Sequence, residues 1–312
     1  MNTIVVAITE PGSTLNLLPP VYLSSEYRIV FHRAPHVEIK KGEAICNFDY
    51  HIDFGFHADE VSSLYLGKRY IHLPRLSRTA QMATIDKFNK TKLFNIRIHA
   101  PFSYSASFGE DVPIIELSRF GIPNSERVVV KHQYGARGNN QIVVPKHLLS
   151  SVLREIIGKT SEEIKERYPS LTYSPMPNKE HVPFSSTDAI FVCDYIENVS
   201  REYRILVAGD TLYLRQRQIK HGEYPQANLD LNTTKPIQYQ LAEKVLNDEQ
   251  LKLLRGFVDY ANIKFGSIDV YITENRRLGI FEYSNEFGIH AEDPAFIRSL
   301  LITAVTNLIV SK

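Results

Sequence analysis

Two stretches of the chain bring like charges together wherever a β-hairpin forms. The first runs from Gly266 to Tyr283, with Glu274–Arg277 as a four-residue loop between arms of alternating character. Thr273 then faces Leu278, and counting outward sets Asp269 opposite Glu282. Alternation assigns Ile268, Val270, Ile272, Phe281 and Tyr283 to a core face and both carboxylates to the other. Opposed β-carbons lie about 4.5–5.5 Å apart. Two like charges at ~5 Å repel by roughly 3 kcal/mol at an effective dielectric of 20, which is large beside a domain stability of about 5–15 kcal/mol. A shared proton, a cation, or lysine and arginine neighbours on a solvated face must relieve it. Hard oxygen donors suit magnesium, which commonly completes its shell with substrate phosphates. Ser284 follows on the carboxylate face, and Asn285 could join through a bulge.

The second stretch is Arg201 to Arg217, with Gly209-Asp210 as a two-residue turn. That turn pairs Arg204 with Arg215 and Glu202 with Arg217, and leaves Tyr203, Ile205, Val207, Leu212 and Leu214 on an apolar face. Facing guanidinium groups suit phosphate oxygens, although an exposed basic strand reads the same way. A third place is Val128–Lys131, a strand ending in lysine, followed by a loop containing Tyr134, Gly135, Ala136, Arg137 and Gly138. Glycines let backbone amides approach phosphate, and Lys131 adds a point charge. The loop is neither a P-loop nor a dinucleotide fingerprint. A cation site, an anion site and a glycine loop with lysine are together the parts that hold a nucleoside triphosphate with its metal.

These residues need a frame. The chain has 312 residues, 43% hydrophobic and 23% charged, which suits a folded protein of two or three domains. Subtracting 35 acidic from 36 basic residues leaves +1, so no bulk field draws nucleic acid or anionic lipid. Cys46 and Cys193 are too few for a disulfide framework and fit a reducing compartment. No apolar run approaches the ~20 residues that span a bilayer, and no basic segment precedes the apolar run in Met1–Thr9. A cytoplasmic location without a signal peptide is expected.

Strands are expected at Thr3–Ile8, Tyr27–Phe31, Ala44–Phe48 and Tyr70–Leu73, forming a small α/β unit. A helix is expected over Thr84–Asn95, then a short segment Ile98–Phe102 containing a proline. Val128–Lys131 and Gln141–Val144 read as strands, Leu148–Ile157 and a segment from Ser161 as helices, and Ala189–Ile196 as a strand. Tyr168–Ser186 holds four prolines and reads as a lid-like loop. A helix over Asp248–Ile263 presents Leu251, Leu254, Val258 and Ala261, and Ala295–Ile309 is an apolar helix packing on a sheet. His51, Asp53, His57 and Asp59 match no standard zinc spacing. Cys193 reads as a small buried hydrophobe.

The order of these features resembles the ATP-grasp superfamily over roughly residues 81–290. It is most similar to the glutamate-ligase-like branch that modifies ribosomal protein tails, with glutathione synthetases and D-alanine ligases more distant. Ile85-Asp86-Lys87 and then Ala100-Pro101 resemble the family's Asp-Lys and proline segments, and Val129–Gly138 its lysine strand and glycine loop. Phe191–Ile196 resembles the strand that receives adenine. Glu202, Arg204, Gly209-Asp210, Arg217 and Asn228-Leu229 follow its central series, and Asp269 and Glu282 its magnesium carboxylates. The chain departs from the pattern at Ser284, where the family has asparagine, at Glu202 in place of aspartate, and at Asp230-Leu231-Asn232, which lacks a glycine pair.

The resemblance implies an α/β (α+β) chain. An N-terminal α/β domain at 1–80 is followed by two α+β subdomains, 81–188 and 189–312, that clasp ATP. It implies that Lys87 and Lys131 contact phosphates, with Tyr134–Gly138 and Glu202 lining the nucleotide, and that Asp194, Tyr195 and Ile196 offer backbone to adenine. Asp269 and Glu282, with Ser284 or Asn285, would hold Mg2+, and Arg204, Arg217 and Asn228 would steady the transferred phosphoryl group. Arg215 joins this set from the hairpin geometry alone. The implied activity is an ATP-dependent carboxylate–amine ligase that forms an amide through an acyl phosphate and releases ADP. Its partners would be small-molecule or peptide carboxylates and amines, with no nucleic acid or membrane and a homodimer admissible. A kinase of the same fold and a nucleotide-binding interaction protein are the competing readings.

Overall fold

The computed structural model describes residues 2–9, 21–23, 27–33, 50–54, 69–73, 76–107, 115–133, 141–173, 184–185, 189–217, 239–284 and 294–310. The β-branched run near the N-terminus forms β1 (Asn2–Thr9), the centre of a sheet with β2 (Val21–Leu23), β3 (Tyr27–Arg33), β4 (Tyr50–Phe54) and β5 (Arg69–Leu73). The order is β2-β3-β1-β4-β5, parallel except for β2. The expected strand Ala44–Phe48, with Cys46, lies outside the described residues, as do His57 and Asp59. His51 and Asp53 instead lie on β4, flanking the fully buried Ile52.

The second sheet is antiparallel, built from β6 (Ser103–Ser107), β7 (Ile115–Phe120), β8 (Arg127–His132), β9 (Ile142–Pro145), β10 (Thr172–Tyr173) and β11 (Ala189–Asp194) in the order β10-β9-β8-β11-β6-β7. The third is also antiparallel and takes β12 (Val199–Ala208), β13 (Thr211–Arg217), β14 (Gln240–Leu241), β15 (Phe265–Thr273) and β16 (Leu278–Ser284), ordered β14-β13-β12-β15-β16.

Five helices accompany the sheets among the described residues: α1 (Arg78–Lys90), α2 (Leu149–Glu155), α3 (Ser161–Arg167), α4 (Asp248–Tyr260) and α5 (Pro294–Val310). Helix α1 starts six residues before its expected beginning, because the Ser77 hydroxyl accepts from the Ala80 amide and caps it. Its buried stripe is Arg78, Gln81, Met82, Ile85 and Phe88. Capping boxes open α3, from Thr160 and Glu163, and α4, from Asn247 and Gln250. The buried face of α4 is Leu253, Leu254, Phe257 and Val258, rotated from the expected one so that Leu251 and Ala261 are only partly covered. Of the Tyr168–Ser186 loop, the described parts are Tyr168–Tyr173 and Phe184–Ser185.

One core joins α1, α4 and a face of the third sheet to Val129, Phe191 and Cys193 of the second. Another packs α5 between Val6, Ile29 and Ile52 of the first sheet and Leu206, Ala208 and Phe265 of the third. The docking of the C-terminal helix on a sheet follows the expectation from its apolar sequence.

Candidate active site

The β15–β16 hairpin reaches the expected carboxylate pairing by an unexpected route. Its tip is one residue out of the counted register, so Ile272, not Thr273, opposes Leu278, and Val270 opposes Ile280. A bulge at Phe281 then adds a residue to β16 and restores Asp269 opposite Glu282. The core face therefore takes Leu278 and Ile280 with Ile268, Val270, Ile272 and Tyr283. Phe281, expected in that core, packs its ring 4.4 Å from Tyr271.

The β12–β13 hairpin pairs as its two-residue turn dictates: Arg204 with Arg215 and Glu202 with Arg217. Gly209 has φ +59, the left-handed conformation that makes glycine the fitting residue there. Neither hairpin by itself reveals their relation. β12 lies beside β15, and Arg204 opposes Asp269. Arg215, Arg204, Asp269 and Glu282 thus form one row across four strands, two cations followed by two anions. At the usual strand spacing the row spans about 14 Å.

Within it Arg204 Nη1 lies 3.7 Å from Asp269 Oδ1, and its Nη2 donates to Ser267 Oγ at 3.1 Å. Arg204 Nε is buried without a hydrogen-bond partner among the described residues, a donor that a phosphate oxygen would satisfy. Arg215 and Asp269 are buried as well. The adjacent row carries Glu202 opposite Tyr271, which faces Gly279. Ser284 falls in the row on the other side, opposite Ser267.

Lys131 is buried near the end of β8, opposite Phe191, on the strand face that also carries Val129. Its ammonium and the Arg78 guanidinium both act on the Cys193 thiol. Burial outweighs them and pushes that thiol up, so Cys193 is no nucleophile. Cys193 is felt in turn by Tyr271, whose burial holds its phenol well above the usual range. Lys131 thus lies on the strand face whose Val129, with Phe191 and Cys193 of β11, packs in the core shared with the third sheet.

Arg78 is a residue of the candidate site that the sequence reading missed. From the first turn of α1 it donates Nη2 to Glu282 Oε2 at 3.0 Å and Nη1 to the His132 carbonyl. Its amide meets the Gln133 carbonyl, and Gln81 accepts from the Tyr283 amide. The start of α1 therefore ties β16 to the end of β8, where the glycine loop begins. A serine cap followed by a buried arginine was the available signal. Lys87, expected at the phosphates, is exposed. It lies nine residues, half a turn in phase, from Arg78 on the same helix.

Asp194 is buried, with Oδ2 accepting from the Asn124 amide at 2.7 Å and Lys146 Nζ 3.8 Å from Oδ1. The amides of Asp194 and Tyr195 donate to the carbonyls of Phe102 and Arg127. The Arg127 guanidinium covers the Tyr195 ring at 4.2 Å and pairs with Glu197. Tyr134–Gly138, Asn228 and Asn285 lie outside the described residues, and Arg217 is described only as the strand partner of Glu202.

Among the described residues no group of three histidine, cysteine, aspartate or glutamate side chains converges on a metal position. Two carboxylates fit an ion that takes its remaining ligands from phosphates and water, which is how magnesium is usually held beside a nucleotide.

No family model matches the sequence, and no curated protein matches it. Solved structures do match over almost the whole chain. A RimK domain ATP-grasp protein from Sphaerobacter thermophilus aligns over 98% of both chains at 13% identity, with a TM-score of 0.51. D-cycloserine synthetase DcsG aligns over 98% of this chain and 99% of its own at 10% identity, with a TM-score of 0.52. The macrocyclase MdnC from Microcystis aeruginosa, bound with precursor peptide MdnA, aligns over 99% and 100% at 11% identity, with a TM-score of 0.50. The chain has the ATP-grasp fold, as the order of its motifs implied. None of its helices among the described residues is long and apolar enough to cross a membrane.

Proposed function

We propose that this protein is an ATP-dependent, ADP-forming carboxylate–amine ligase acting in the cytoplasm on small-molecule or peptide substrates. The row Arg215–Arg204–Asp269–Glu282 carries the reading, because it sets two cations for phosphate oxygens beside two carboxylates for a metal on one face of one sheet. The segments 81–188 and 189–312 would clasp the nucleotide between them. Asp269 and Glu282 would hold magnesium, which when bound offsets charge on the transferring phosphoryl group.

Arg204 and Arg215 would bind the γ-phosphoryl oxygens, and Lys131 would bind the phosphates from the opposite sheet. The substrate carboxylate attacks the γ-phosphorus, the bond to ADP breaks, and an acyl phosphate forms. The amine then attacks the acyl carbon, phosphate leaves, and the amine proton passes to solvent or phosphate. Arg204 and Arg215 serve both steps by holding the phosphoryl group while water is excluded. The neighbour named a macrocyclase with its precursor peptide and the one named a cycloserine synthetase are compatible with such chemistry.

Purified protein with ATP, Mg2+ and a panel of amino acids and dipeptides should yield ADP and an amide detectable by mass. A phosphorylated hydroxyl product would favour a kinase. Ser284, in the place of a family asparagine, favours a non-catalytic nucleotide-binding protein as the second reading. ATP binding without turnover, unchanged by Glu282→Ala, would establish it.

A further inference from the structure

A cavity of about 870 Å3 opens where the 95–100 segment meets the tip of the β15–β16 hairpin and the start of α4. Arg97, Arg276, Arg277 and His99 line it, over a floor that includes Met82, Leu253 and Leu278. Leu278, at the opposite end of β16 from Glu282, belongs to the apolar face of its sheet. It is also about 13 Å along β16 from Glu282, counting four residues.

Both arginine-bearing loops are held from helices by buried or half-buried amides. Asn89 of α1 accepts from the Ile98 amide and donates to its carbonyl, each at 2.9 Å. Gln250 of α4 donates to the Arg276 carbonyl at 3.0 Å. Thr273 receives the Arg276 amide on its carbonyl and the Arg277 amide on its hydroxyl. Arg276 itself has φ +60, a position where glycine or asparagine is the unstrained choice. These backbones are fixed.

Among the described residues none of the three guanidinium groups forms an ion pair. The acids in the lining do not satisfy them: Asp86 pairs with Lys90, and Glu249 stands exposed on the first turn of α4. The cavity thus presents three solvent-exposed guanidinium groups over an apolar floor, a combination that suits an anion with an apolar body. The volume is that of a small-molecule site.

We infer that this cavity binds a small polyanion, a molecule with two or more carboxylate or phosphate groups on a partly apolar body, at a site separate from the nucleotide cleft. Citrate and inorganic pyrophosphate, titrated calorimetrically into the full chain without ATP or Mg2+ at fixed ionic strength, probe the two chemistries. A carboxylate ligand predicts the tighter binding for citrate, and a phosphate ligand predicts it for pyrophosphate.

The double substitution Arg97→Gln/Arg277→Gln should weaken the preferred probe at least about tenfold, as expected for losing two charge-assisted contacts. Glu249→Gln, which removes the competing rim charge, should strengthen it two- to threefold. Lys131→Ala, in the cleft, should leave it unchanged. Equal affinity in the wild type and the double variant overturns the inference. So does a loss produced by Lys131→Ala, or binding that chloride at equal ionic strength abolishes. Because no turnover is measured, these outcomes are independent of the proposed ligase activity.

Discussion

Arg78 Nη2 lies 3.0 Å from Glu282 Oε2, joining the first turn of α1 to the strand that carries a candidate metal ligand. Arg78 is almost fully buried while Glu282 keeps 39% of its side-chain exposure, so the carboxylate can serve a cation on its open side. Arg78 also donates to the His132 carbonyl, and in the proposed site it would be a positioning residue that orients Glu282.

Arg78→Gln should therefore raise the Mg2+ concentration needed for half-maximal ATP turnover by about tenfold, equivalent to roughly 1.4 kcal/mol. In a Glu282→Gln background the same change should have little further effect on Mn2+ affinity measured by electron paramagnetic resonance. Additive losses in that double-mutant cycle would show that Arg78 acts on stability alone.

The row geometry predicts different consequences for its two halves. Arg204→Gln and Arg215→Gln should lower kcat for ATP turnover about 10²–10³-fold with a smaller change in KM, because in the proposed reaction both would meet charge that develops on transfer. Asp269→Asn should act mainly through metal dependence. Steady-state kinetics at saturating and limiting Mg2+ separate the two.

Gly279 admits the Tyr271 ring, because a β-carbon at Gly279 would stand 2.1 Å from Tyr271 Cζ. Tyr271 is fully buried and held through its hydroxyl to His99 Nδ1 at 2.7 Å, so it has no room to yield. Gly279→Ala should cost about 1–3 kcal/mol, read as a fall in the urea midpoint. A change below about 0.5 kcal/mol would show that the ring can move.

His99 is held below the ordinary histidine pKa, first by burial and then by the Arg277 guanidinium. The unfolded chain, with its histidine near 6.5, then binds more protons than the fold as pH falls past that value. The His99 contribution to stability is therefore full above the unfolded pKa and declines on acidification towards the lower folded one. Between pH 7.5 and 5 the thermal midpoint of His99→Gln should fall less steeply than that of the wild type. Parallel curves would refute this.

The legible parts of the fold were those set by neighbouring residues. Gly209-Asp210 allows one tight turn, and that turn alone determines that Arg204 meets Arg215. The α4 start was readable in the acidic residues after Asn247. The β15–β16 tip was read one residue out, and Phe281 was assigned to the core, because a bulge depends on how the strand packs across its whole length. The phase of α1 follows from the Ser77 cap and its buried stripe, which put Arg78 inside and leave Lys87 exposed.

Alternation along a strand is a local property, so the residue order alone settled which side chains share a face, apart from the bulged Phe281, and that like charges meet across each hairpin, Arg204 with Arg215 and Asp269 with Glu282. Which strands lie side by side is not local. It depends on burying the apolar faces of both hairpins together against α1, α4 and Val129, Phe191 and Cys193 of the second sheet. Only that packing put Arg204 beside Asp269 and brought Arg78, some two hundred residues earlier in the chain, onto Glu282.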